Sequence, residues 1–138
     1  MKMRKIIFPF LGLVLIVAAV FFFCRDTSIW PLDPERATGI YFTSYPQYDG
    51  SYTVADNSRV KDIVSAINEL NMQEGTTRPD KMSSCYYYFF LNTPNEDISV
   101  ELDENTIKLN NEVYQADTSD LRLLLVQTYN DIMNGKID

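Results

Sequence analysis

The chain has 138 residues, 46% of them hydrophobic, with 12 basic side chains against 19 acidic ones, no His and two Cys. That length supports one modest domain beside a targeting segment, and a formal charge of −7 excludes the clustered cationic surface that displaces counterions from nucleic acid. With no His, five Gly, and Cys24 far from Cys85, the chain also lacks the usual material for a zinc site, a Cys/His or Ser/His nucleophile, or a phosphate loop, so neither metal nor cofactor is expected.

The strongest signal comes first in the chain. Ile6 to Cys24 are nineteen residues without a charge, rich in Leu, Ile, Val and Phe. As a helix they span roughly 28 Å, close to the hydrocarbon thickness of a bilayer. Pro9 and Gly12 fall in the first turns, where a helix tolerates them best. Lys2, Arg4 and Lys5 precede the run, and Arg25 alone follows it, offset by Asp26, so the positive-inside rule leaves the N-terminus in the cytoplasm and the remainder outside. A cleaved signal peptide would use Val17-Ala18-Ala19 and leave Val20-Phe21-Phe22-Phe23 as its new terminus, and a lipoprotein would need small residues where Phe21-Phe22-Phe23 precede Cys24. An uncleaved anchor fits these residues better than either. The expected organisation is a cytoplasmic N-terminus and transmembrane anchor over 1–25, a stiff spacer containing Pro31, Asp33 and Pro34 over 26–38, and an extracytoplasmic domain over 39–138.

Four basic groups lie in residues 1–25, which leaves eight against all 19 acids in the exported part, a formal −11. Such a domain is repelled by anionic lipid and wall polymers. Its single Cys85 excludes an intradomain disulfide, so packing must stabilise it, which fits a single-membrane bacterium.

Ile40 to Thr43 predicts a strand, and Asp49-Gly50 marks a turn before a second strand at Tyr52 to Val54. Asp56, Asn57 or Ser58 caps a helix carrying Val60, Ile63, Val64, Ile67 and Leu70 at helical spacing. Asn71 to Ser84 reads as a polar loop. Cys85 to Leu91, aromatic and apolar on both faces, predicts a central strand, followed by the alternating strand Ile98, Val100, Leu102. Thr106–Leu109 and Glu112–Gln115 flank the turn pair Asn110-Asn111. Asp117 to Ser119 caps a last helix with Leu121, Leu124, Leu125, Tyr129 and Ile132, and Gly135 stands past its end. The expected fold is α+β: a transmembrane helix, then a mainly antiparallel sheet in the order β-β-α-β-β-β-β-α with both helices on one face.

With this order, the anchor and the run Asn-Thr-Ile-Lys-Leu-Asn-Asn-Glu-Val-Tyr, residues 105–114, the chain resembles small membrane-anchored extracytoplasmic α/β domains of Gram-positive bacterial proteins, many of them uncharacterised. The likeness covers roughly residues 39 to 134 and implies an α+β fold and export, with no active-site residues.

Candidate chemistry is sparse. Glu101, Asp103, Asn105 and Glu112 are spaced faintly like a calcium loop, but Thr106 replaces the sharp-turn Gly and strands run through both ends. The acid pairs Glu96/Asp97 and Glu101/Asp103 read as solvated charge, and Cys85 falls in the same row as Tyr87, Phe89 and Leu91 without a base. Period-two geometry sends Tyr41, Tyr86, Tyr88 and Phe90 to the face away from the helices, an aromatic surface suited to anchoring another envelope protein or a peptide. The expected function is therefore a non-catalytic, membrane-tethered extracytoplasmic interaction or sensing module. The alternative is a small envelope enzyme, or an inhibitor of one, working through acidic loops.

Overall fold

A computed structural model of the protein describes residues 29–44, 51–74 and 87–138. The expected membrane span, the Asp49-Gly50 turn, Cys85 and Tyr86 lie outside these residues. Among the described residues no helix is long and apolar enough to cross a membrane.

The described residues form seven strands and two helices in the order β1 (Gly39–Ser44), β2 (Tyr52–Val54), α1 (Asn57–Asn68), β3 (Gln73–Glu74), β4 (Tyr87–Asn92), β5 (Asp97–Leu102), β6 (Thr106–Leu109), β7 (Glu112–Gln115) and α2 (Ser119–Met133). They form one sheet, ordered β2-β1-β4-β5-β6-β7-β3, in which every neighbouring pair is antiparallel. The fold is α+β. The aromatic β4 is flanked by β1 and β5, as a strand apolar on both faces requires.

One strand departs from expectation. Gln73–Glu74 lies in the stretch read as a loop, yet it pairs with Gln115 and Tyr114 of β7 as an edge strand. Leu70 and Met72 pack against the core just before it and carry the chain to that edge, which local composition does not reveal. The described residues therefore contain seven strands, where the sequence predicts six.

The turns follow their residue chemistry. Asp56 caps α1 by accepting a hydrogen bond from the Arg59 N–H at 2.7 Å, and Val60, Ile63, Val64 and Ile67 are its buried stripe. At the start of α2 the Ser119 N–H and hydroxyl both donate to the Asp117 carboxylate, which holds that carboxyl below the usual range, the hydroxyl contact contributing most. The helix ends with the Gly135 N–H on Ile132 O (3.0 Å) and the Lys136 N–H on Asp131 O (2.8 Å), while Gly135 takes φ +65°. This is a Schellman closure, in which Gly carries the left-handed residue without strain. In the β6–β7 turn only Asn110 takes positive φ, at 52°, and its side-chain oxygen accepts from the Ser99 N–H at 2.9 Å, fastening the hairpin to β5.

The core lies between the sheet and the helices. Ile40, Phe42, Val54, Tyr87, Phe89, Leu91, Ile98, Val100, Leu102, Ile107 and Leu109 face inward and join Leu121 and Leu125 of α2 and the stripe of α1. Each such Leu or Ile, fully buried, contributes roughly 1.5–3 kcal/mol. Phe42 stacks on Tyr52 with centroids 4.5 Å apart, and Tyr52 meets Tyr129 edge-on at 5.4 Å, joining the sheet to α2. Burial, with Tyr87 and Tyr129 nearby, pushes the Tyr52 hydroxyl well above its ordinary pKa. Arg59 bridges the two helices, donating to Thr128 Oγ1 at 3.0 Å and Asp131 Oδ2 at 2.8 Å.

Residues 29–38, expected as a spacer, pack onto the domain. Leu32 and Ala37 are buried, and Ile29 and Trp30 lie against the core, with Trp30 tilted over Tyr114 at 6.4 Å. The side-chain amide of Asn68, at the end of α1, clamps both polar groups of the Leu32 backbone: Oδ1 accepts from the N–H at 2.8 Å, and Nδ2 donates to the carbonyl at 2.7 Å. Lys61 pairs with Glu35 at 2.8 Å, and the Thr38 N–H donates to Asn92 O at 2.9 Å. The prolines that suggested stiffness sit among apolar residues that the domain needs to cover its core.

Candidate functional site

The outer face of the sheet is built by strand alternation. Because Phe42, Phe89 and Leu91 turn inward, their neighbours Tyr41, Tyr88 and Phe90 turn outward. Tyr41 stands directly opposite Phe90 across the β1–β4 ladder, and the Tyr88 and Phe90 rings lie 5.1 Å apart at 58°. Tyr41 is 40% exposed, whereas Tyr88 and Phe90 are half-buried, partly by each other. Tyr86 lies outside the described residues. Three of the four expected site residues thus form one aromatic group, at the border between β1 and β4.

Around that group the face is polar. Tyr88 is paired with Glu101, and Phe90 with Ser99. Glu101 is paired in turn with Lys108, whose ammonium lies 3.3 Å from its carboxylate. Thr43 forms a bulge: it and Ser44 together oppose Tyr88, and its hydroxyl donates to Tyr88 O at 3.3 Å. The buried apolar side chains of both helices and of residues 29–32 lie on the opposite side of the sheet. Among the described residues no helix covers the outward aromatics, which have hydroxyls at the edge and one ion pair alongside.

The acidic candidates do not converge. Asp103 Oδ1 accepts from the Asn105 N–H at 2.9 Å within the β5–β6 turn, while Glu112, which accepts from the Tyr114 hydroxyl, starts β7 at the other end of the hairpin. Glu101 lies on the outer face with Lys108. Among the described residues no group of three His, Cys, Asp or Glu is placed to hold a metal ion. Asp97 accepts from the Asn92 amide at 3.0 Å, on the exposed hairpin.

A second concavity went unrecognised in the sequence. The docked N-terminal segment leaves a cleft of about 260 Å³ between itself and the body of the domain. Ile29, Pro31, Leu32 and Ala37 form one wall, and Val64, Leu91 and Ile98 the other. Asp33, Arg36 and Glu96, all exposed, also line it. It brings two carboxylates to one place, but both are bathed in solvent, whereas paired acid–base work needs environments that set the two apart. The available signal was the apolar set Ile29, Trp30, Leu32 and Ala37, which a solvated spacer has no reason to carry.

No family model, curated protein or solved structure matches the chain. What the two surfaces can do is decided by their own geometry.

Proposed function

We propose that the protein is a non-catalytic, membrane-tethered extracytoplasmic interaction module, anchored through residues 6–24, which recognises another envelope protein through Tyr41, Tyr86, Tyr88 and Phe90. The observation that carries this reading is the aromatic group on the face opposite both helices. Tyrosines there combine apolar area with a polar tip and lose little entropy on binding, the properties of interface hot spots. The charge asymmetry around Ile6 to Cys24 supports the tether, and the absence of His from the whole sequence favours binding over catalysis.

The test is site-specific photocrosslinking in intact cells producing the protein at native level. A crosslinking residue in place of Tyr41 or Tyr88 should give one discrete adduct, and one in place of Leu123, exposed on α2, should not. A Phe90→Ala change should abolish the adduct. Equal labelling from all three positions, or none from Tyr41 and Tyr88, refutes the assignment.

A further inference from the structure

The cleft beside residues 29–37 combines apolar walls with exposed charges at its rim. Its lining carries both signs of charge, Arg36 against Asp33 and Glu96, yet among the described residues no ion pair joins any of the three to a partner. Asp33 Oδ1 accepts only the Glu35 N–H, at 3.0 Å. Where charged side chains are largely buried, as Arg59 and Asp131 are, they close on one another at 2.8 Å; Arg36, Asp33 and Glu96 stay exposed to solvent. Opposite charges held apart around an apolar depression are complementary to a molecule that carries both charges and an apolar body.

The volume narrows the choice. About 260 Å³ lies near the lower end of the roughly 300–1,000 Å³ of small-molecule pockets, which favours an occupant of amino-acid size over a larger one. We propose that the cleft binds a free apolar L-amino acid. The guanidinium of Arg36 takes the α-carboxylate, using the planar fork that matches that group. The carboxylates of Glu96 and Asp33 take the α-ammonium. The aliphatic side chain rests on the accessible parts of Ile29, Leu32, Ala37 and Ile98, with Val64 and Leu91 buried behind them. Because one wall is the N-terminal segment and the other is the α1–sheet body, an occupant bridges the two and fastens the segment in its docked position. This site is separate from the outer aromatic face.

Trp30, the only tryptophan in the chain, lies between two lining residues and reports occupancy. The full-length protein in detergent is titrated with L-leucine, with leucinamide, which lacks the carboxylate, and with N-acetyl-leucine, which lacks the ammonium, following Trp30 fluorescence and the thermal midpoint. L-Leucine should give a saturable change and raise the midpoint, and each blocked analogue should bind at least tenfold more weakly. Arg36→Gln should weaken L-leucine at least tenfold and leave leucinamide unchanged. Glu96→Gln should weaken L-leucine and leave N-acetyl-leucine unchanged. Both residues are exposed, so the variants should fold, and Tyr88→Ala should leave the leucine affinity as it was. The proposal is overturned if L-leucine produces no saturable response in either signal. It is equally overturned if the analogues bind as well as L-leucine, or if Arg36→Gln weakens all three ligands alike.

Discussion

Replacing Asn68 by Ala tests whether residues 29–37 belong to the domain. Its amide makes two hydrogen bonds to the backbone of Leu32, at 2.8 and 2.7 Å, and Leu32 is 7% exposed. Each bond has a net value of about 1 kcal/mol, and a buried partner left unpaired costs about 1–3 kcal/mol. Ala recovers roughly 0.5 kcal/mol as the better helix former. The balance is a loss of at least about 1.5 kcal/mol, and more where a Leu32 backbone group stays buried and unpaired, a large share of the roughly 5–15 kcal/mol typical of a domain. Lys61→Ala, which removes a second polar tie to this segment, is the internal control: the Glu35 side chain is 76% exposed, and such an ion pair contributes about 0–1 kcal/mol. Urea unfolding of the two variants, followed by circular dichroism and Trp30 fluorescence, measures the difference, and trypsin cleavage after Arg36 reports release of the segment. Cleavage should accelerate in Asn68→Ala far more than in Lys61→Ala. If Asn68→Ala loses less than about 0.5 kcal/mol and Arg36 is cut no faster, the segment is not held by this clamp and the reasoning fails.

The two faces of β4 should respond differently to truncation. Phe89→Ala, at a fully buried position, should cost about 3–5 kcal/mol, and Tyr88→Ala on the outer face about 1 kcal/mol, both read from chemical denaturation; equal losses would contradict the assignment of faces. Asp131 is held below the usual carboxylate range, chiefly by the hydrogen bond from Arg59 and further by Lys136. A depressed folded pKa stabilises above the unfolded value, near 4, and that stability is lost as pH falls below it, so Asp131→Asn should flatten this part of the thermal midpoint against pH. An unchanged acid limb would show that the pair does not contribute. For the tether, a reporter fused after Asp138 should be active only outside the cytoplasm, and the protein should resist alkaline extraction from membranes; release of a shortened soluble form would exclude an uncleaved anchor.

The inward and outward rows of the sheet follow from alternation alone, because a strand with one buried face shows its register in its side chains. Ile98, Val100 and Leu102, with Ser99 and Glu101 between them, needed no tertiary information. Gly135 was legible as the residue past the last helix, while the cap and the turn were legible only as groups, and the structure chose Asp56 from Asp56, Asn57 and Ser58 and Asn110 from Asn110-Asn111. The edge strand Gln73–Glu74 was not legible, since two residues carry no periodicity and their pairing with β7 depends on where Leu70 and Met72 deliver the chain. Nor was the docking of residues 29–37: Pro31, Asp33 and Pro34 are locally identical in a spacer and in a packed strap, and the difference rests on Asn68, thirty-six residues from Leu32. Sequence determined which side chains face the core. Which segments complete that core, and the cleft left between them, depended on long-range contacts that no local pattern encodes.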